Sequence, residues 1–187
     1  MSVFATCFCE FGDLLSQWRG YGTDHGYAIE FRTDALESAV DGIANYPPSR
    51  MLMPVRYGID AANQIVSTAL HDVSQDTNLG HYGVHAHYMA LRLSTLLGAI
   101  KHPGFSEERE WRVIAAFERH QLEGIQFRSS SMAIVPYIEI AFPYDSIVSV
   151  RVGPGRHVEV RQQGVQRLLR SLGYDAEVLC SDVPLRT

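Results

Sequence analysis

Seven consecutive residues, Ser106-Glu107-Glu108-Arg109-Glu110-Trp111-Arg112, hold the densest set of groups able to do chemistry. On a strand, residues two apart share a face. Glu108, Glu110 and Arg112 then form one charged row, while Trp111 and Val113 turn into the core. Two carboxylates beside an arginine suit acid–base or electrostatic work. One carboxylate can hold a sugar hydroxyl while the other stabilises positive charge at a ribosyl carbon. The same row also suits a solvated strand face tied by cross-strand ion pairs.

A second group joins Arg128-Ser129-Ser130-Ser131 to the closing Ser181-Asp182-Val183-Pro184-Leu185-Arg186. A guanidinium is a planar fork for phosphate or carboxylate, and serines with loop amides can complete an anion site. An ordinary polar loop and a frayed tail are the plainer alternative. Trp18 and Tyr21, with Leu14, make an aromatic stripe at helical spacing, which is either core or the floor of a pocket for a flat ring.

Metal chemistry finds less support. His81 and His85 lie one turn apart with His87 beyond, but no nearby cysteine or carboxylate completes a ligand set, so packed or capping histidines and no metal are expected. Cys7 and Cys9 share a strand face without a second cysteine pair, and are expected to be buried structural thiols. The phosphate-binding P-loop, the dinucleotide-binding glycine fingerprint and the nucleophile elbow are all absent, and Gly153-Pro154-Gly155 is too short and rigid to replace them.

The elements that must position these groups follow from periodicity. The run 3–9 is apolar apart from Thr6 and reads as a strand covered on both faces. A helix is expected from Gly12 to Arg19, ended by Gly20 and Gly22, then a strand over Gly26–Phe31. Thr33 is placed to cap a helix through Ile43, Asn45-Tyr46-Pro47-Pro48 reads as a loop, and Met51–Tyr57 as an edge strand because of Pro54. Asp60 opens a helix with Ile65, Val66, Ala69, Leu70 and Val73 inward, broken at Asn78-Leu79-Gly80. A longer helix from Tyr82 to Ile100 carries Met89, Leu93, Leu96, Leu97 and Ile100 on one face, stopped by His102-Pro103-Gly104. Strands follow around Trp111–Phe117, over Ser131–Phe142 and over Ser146–Val152. The helix His157–Leu172, with Val165, Leu168, Leu169 and Leu172 inward, and a strand Tyr174–Cys180 end the chain. Helices early and strands late predict an α+β fold, a single globular domain over 1–187 with a mixed or mostly antiparallel sheet.

Composition excludes several classes. The 187 residues are 46% hydrophobic and 20% charged, which argues against disorder. No apolar run approaches the ~18 residues of a membrane span. Aspartate and glutamate outnumber lysine and arginine 21 to 16, which argues against a basic face for duplex DNA. Three cysteines and an opening without a charged start or cleavage site suit a reducing compartment, so the cytoplasm is the expected location.

Several of these pieces together resemble the bacterial domain-of-unknown-function family 2971. They are Thr6-Cys7-Phe8-Cys9-Glu10, Asp13, Trp18, Tyr21 and Gly26-Tyr27-Ala28-Ile29-Glu30-Phe31, then Lys101, Phe105, Glu108, Glu110, Trp111 and Arg112. Phe127-Arg128, Val135-Pro136-Tyr137, Val152-Gly153-Pro154 and the Ser181–Arg186 ending continue the order. Cys9 stands where that family usually has serine, and Leu185 where it often has tyrosine. Longer members carry an upstream segment, and the expectation is that this chain begins after it. At the level of fold order the chain is also similar to ADP-ribosyltransferase-like domains. That similarity implies an NAD-using enzyme with Glu110 catalytic and Glu108 orienting, and Thr6, Cys7 and Cys9 on the pocket strand. It further implies Arg112, Arg128 or Arg186 on pyrophosphate, and a role as a toxin or phage-defence effector. Those domains need an arginine or histidine on their first strand, which would fall in that upstream segment. Two alternatives stand beside it. One is a non-catalytic module for a nucleotide-like or other phosphorylated ligand, gripped by Trp18, Tyr21, Arg112, Arg128, Ser181 and Arg186. The other is a partner-binding domain with an unknown protein target.

Overall fold

The computed structural model describes residues 2–22, 25–41, 50–75, 82–117 and 124–184, with backbone alone at 41, 72–75 and 82–88. The fold class is α+β, with small sheets in which antiparallel pairing dominates and four of five α-helices starting before residue 100. The residues gather into two compact units. The first comprises Met1–Phe8 and Val40–Ala141, the second Cys9–Ala39 and Phe142–Thr187.

In the first unit, strand β6 (Glu110–Phe117) lies between β1 (Ser2–Cys9) and β3 (Arg50–Pro54). β3 runs antiparallel to β6 with Pro54 opposite Trp111. Pro54 therefore sits on an edge strand, where its missing N–H costs no ladder bond. β4 (Arg56–Tyr57) pairs in parallel with β5 (Ile100–Lys101). The helices α3 (Ile59–Gln75) and α4 (Tyr82–Leu97) pack on each other, and α4 packs on β6. A hairpin of β7 (Ile125–Ser129) and β8 (Ile134–Ile138) completes the unit. Val113, Ile114, Ala115 and Ala116 are all buried, as the central strand of a sheet covered on both faces requires.

In the second unit, β9 (Ile147–Val152) lies between β2 (Tyr27–Phe31), antiparallel, and β10 (Glu177–Cys180), parallel. The parallel pair is joined by α5 (Val158–Leu172), which packs on both strands. Gly173 ends α5 at φ 76°, a left-handed conformation that glycine adopts without a Cβ penalty, and its N–H bonds back to Leu169 and Arg170. Near the start of this unit α1 is a single turn (Leu15–Gln17) that widens into a π-helical turn over Trp18–Gly22. α2 (Thr33–Asp41) follows β2.

Several expectations change. β1 is the outer strand of its sheet and mostly exposed, not covered on both faces, because among the described residues only β6 pairs with it. Cys7 is accordingly exposed and Cys9 half-buried, rather than both buried. The first helix starts at Leu15 rather than Gly12, and Thr33 lies inside α2 instead of capping it. Leu70 is 65% exposed, so the inward stripe of α3 runs through Ile65, Val66 and Ala69. α4 ends at Leu97, freeing Ile100 to join β5, and buries Thr95, whose hydroxyl bonds to the Leu91 carbonyl. On α5, Leu169 is buried while Leu168 and Leu172 are exposed, since the helix meets one flat sheet along a narrow stripe. The Ser131–Phe142 strand is only Ile134–Ile138, and β7 is an additional strand. The segments 45–48 and 78–80 and the residues His81, Leu185 and Arg186 lie outside the described residues, as do the side chains of His85 and His87.

Candidate functional site

The expected row of Glu108, Glu110 and Arg112 does come together, by a different route from simple strand alternation. Pro103–Glu108 winds as a 3₁₀ turn capped by the His102 ring, Nδ1 accepting from Gly104 N at 3.1 Å. Arg109 then takes a left-handed φ of 41°, and the strand starts only at Glu110. Glu110 and Arg112 share a strand face. Glu108 reaches the same place from the preceding turn.

Lys101 is the hub. Its ammonium donates to Glu108 Oε2 at 2.7 Å and to Glu110 Oε2 at 2.8 Å, and lies 4.7 Å from the centre of the Phe105 ring. Arg112 closes the other side of Glu110 as a fork, Nε to Oε1 at 2.7 Å and Nη2 to Oε2 at 3.2 Å, while its Nη1 donates to the Gly98 carbonyl. The Cys7 thiol hydrogen-bonds to the same carboxylate. The Glu110 side chain is 2% exposed, against 12% for Glu108. Its main chain is equally engaged, N–H to the Tyr57 hydroxyl at 3.0 Å and carbonyl accepting from Val55 at 2.8 Å. The row is therefore a buried, charge-balanced cluster of two cations and two carboxylates, not a solvated face.

Electrostatics follow the geometry. Desolvation pushes the Glu110 carboxyl up, but the bonds from Arg112, Cys7 and Lys101 outweigh it and bring its pKa down to about 2. Desolvation also opposes the charge on Lys101, and the two glutamates more than compensate, holding it above the usual lysine range. Desolvation and the adjacent Glu110 push the Cys7 thiol up to about 11. That thiol is a poor nucleophile near neutrality, because the thiolate is the reactive form.

A second node lies in the other unit. Asp13 accepts from the Trp18 indole N–H at 2.7 Å, from the Ser181 hydroxyl, and from the Asp182 amide at 2.9 Å, with Arg151 Nη1 at 3.9 Å. Burial raises its pKa, and these donors bring it below the ordinary carboxylate value. Trp18 is buried against glycines. A Cβ on Gly153 would come within 2.7 Å of its ring, and one on Gly22 within 2.8 Å. Trp18 and Ser181 are thus both engaged in tying the turn after β1 to the segment after β10. Tyr21, by contrast, is 73% exposed.

Arg128 behaves differently from Arg112, Glu108 and Glu110. It lies exposed on β7, and among the described residues nothing bonds to its guanidinium. It lines an open cleft of about 360 Å³ in the first unit, walled by Val3–Thr6 of β1, Val113 and Ala115 of β6, and Val135–Ile138 of β8. The serines after it serve the hairpin turn: Ser130 Oγ accepts from the amides of Met132 and Ala133 and donates to the Ala133 carbonyl. Those two amides face Ser130. Sequence spacing pointed to Glu108, Glu110 and Arg112 as a group. It did not point to Lys101 as their hub, or to a cleft beside β1, because both depend on strands far apart in sequence.

No group of three or more metal-ligating side chains occurs among the described residues, and no described helix is long and apolar enough to cross a membrane. The sequence profile of a family described as "Protein of unknown function (DUF2971)" matches residues 17–113, and the chain belongs to that family. No curated protein and no solved structure matches the chain.

Proposed function

We propose that this member of the DUF2971 family is a non-catalytic binding module whose first unit takes a ligand carrying a phosphate or carboxylate. One observation carries the reading: Arg128 lines an open cleft with no partner among the described residues, whereas Arg112, Lys101, Glu108 and Glu110 neutralise one another. A volume of about 360 Å³ is within the ~300–1,000 Å³ typical of small-ligand sites. A nucleotide-like or other phosphorylated ligand and an acidic peptide both carry the required anion. Three free cysteines suit the cytoplasm as its compartment. The test is thermal unfolding of wild type and Arg128→Ala against ATP, ADP-ribose, inorganic phosphate and a set of acidic peptides. A ligand at ~100 times its Kd adds about 2.7 kcal/mol to stability. At least one of them is expected to raise Tm for wild type and not for Arg128→Ala; no Arg128-dependent rise with any would overturn the reading.

A second reading is the ADP-ribosyltransferase-like one, with Glu110 catalytic and Glu108 orienting. It is favoured by the two carboxylates meeting on one ammonium. The fit to NAD is poor as the residues stand: both Glu110 oxygens are bonded by cations and the side chain is enclosed. Incubation with NAD decides it. Absence of nicotinamide release by wild type removes it, and release that is lost in Glu108→Gln supports it.

A further inference from the structure

Resting on the binding reading, the occupant of the cleft can be narrowed. The cleft touches four consecutive residues of β1: Val3, Phe4, Ala5 and Thr6. Side chains alternate across a strand, so a pocket on one face would meet every second residue. Phe4 stands on one face, edge-on to Phe117 with ring centroids 5.7 Å apart. Cys7, of the same parity as Val3 and Ala5, stands on the other with Glu110 and Arg112. A cleft that meets both parities touches the main chain of the strand as well as its side chains, with Val113 and Ala115 of β6 beside it.

Among the described residues no strand pairs with the outer edge of β1: it is the outermost strand of its sheet, and its one strand neighbour is β6. On the opposite bank Val135–Ile138 are also consecutive and, among the described residues, β8 pairs only with β7, but Pro136 guards that edge. Exposed edges are ordinarily guarded by charge, proline or a bulge, and Val3-Phe4-Ala5-Thr6 carries no charge and no proline. Unpaired strand N–H and C=O groups are best met by another main chain, and the apolar walls suit alternating side chains. The unpaired cation, Arg128, sets the charge of the occupant.

We propose that an extended acidic segment of a partner protein adds as a strand to Val3–Thr6 of β1 and sets a carboxylate on Arg128. Four residues of edge span about 13 Å at ~3.3 Å per residue, so a segment of roughly that length makes the contact.

The experiment is selection of a displayed random decapeptide library on the full chain, followed by fluorescence anisotropy with the enriched peptides made synthetically. Acidic peptides are expected to be enriched. N-methylation of alternate backbone amides, in whichever of the two registers faces β1, should weaken binding at least tenfold. Arg128→Ala should weaken it about tenfold for the acidic peptide and leave its Glu→Gln counterpart unchanged. Amide exchange at residues 3–6 should slow when peptide is bound. Enrichment without acidic bias, or insensitivity to N-methylation in both registers, overturns the proposal. Arg128-dependent binding of ADP-ribose with no enriched peptide overturns it while leaving the binding reading intact. Absence of Arg128-dependent binding of either kind overturns both. Arg128 is exposed, so its variant should fold, which far-ultraviolet circular dichroism checks.

Discussion

Replacing Glu110 by glutamine takes away the carboxylate on which Lys101, Arg112 and Cys7 converge. A carboxyl lowered from 4.5 to about 2 contributes roughly 3 kcal/mol at neutral pH, at about 1.4 kcal/mol per tenfold. Breaking a buried ion pair by removing one partner typically costs about 3–5 kcal/mol. Lys101 and Arg112 keep 18% and 17% exposure, so solvent softens the penalty and the lower end applies. For a chain of this size a loss of about 3 kcal/mol lowers Tm by roughly 6–12 °C. The sign with pH follows from a folded pKa below the unfolded one. The contribution is fully present above about pH 4.5 and is lost as pH falls toward 2, so the gap between wild type and Glu110→Gln should shrink by about half or more by pH 3. Urea unfolding followed by circular dichroism at pH 7 and pH 3 measures both. Adding Lys101→Met to Glu110→Gln should recover part of the loss, because the orphaned ammonium goes with it. A variant within about 0.5 kcal/mol of wild type at pH 7, or a gap unchanged at pH 3, would refute the account of this cluster as a stabilising ion network.

Gly153→Ala should destabilise the chain by about 1–3 kcal/mol, because the new methyl meets the Trp18 ring at 2.7 Å and the Gly26 carbonyl at 2.9 Å; equilibrium unfolding followed by tryptophan fluorescence reads the loss, and an unchanged midpoint would show that the ring moves aside freely. In a Cys9→Ser, Cys180→Ser background, Cys7 should react slowly with iodoacetamide at pH 7 and keep accelerating up to about pH 11. A plateau below pH 9 would mean that Glu110 does not suppress the thiolate.

The residues that sequence spacing picked out separate according to the range of the interactions that govern them. Local signals were readable. Pro54 indicated an edge strand, Gly173 the end of α5, and the i, i+2 spacing of Glu110 and Arg112 a shared face, since each depends on backbone geometry within a few residues. The α+β class followed from the order of periodic segments. Burial was not readable. The apolar run 3–9 looks like a central strand, yet whether a strand is central depends on what pairs on either side of it, and for β1, among the described residues, only β6 does. The partner of the Ser181 hydroxyl, Asp13, lies far away in the chain, and no local spacing announces that bond.

By itself, then, the amino-acid sequence determined the class of fold, the elements with strong local punctuation, the pairing of Glu110 with Arg112, and membership of a family whose function has not been assigned. Tertiary structure alone decided what those charges do. Lys101 comes from β5 and Cys7 from β1, and bringing both to Glu110 encloses a row that the sequence leaves free to face water. It alone also placed Arg128, unpaired among the described residues, in a cleft with Val3–Thr6 of β1. Short-range rules set backbone shape, whereas the solvation of a charge depends on every element packed around it.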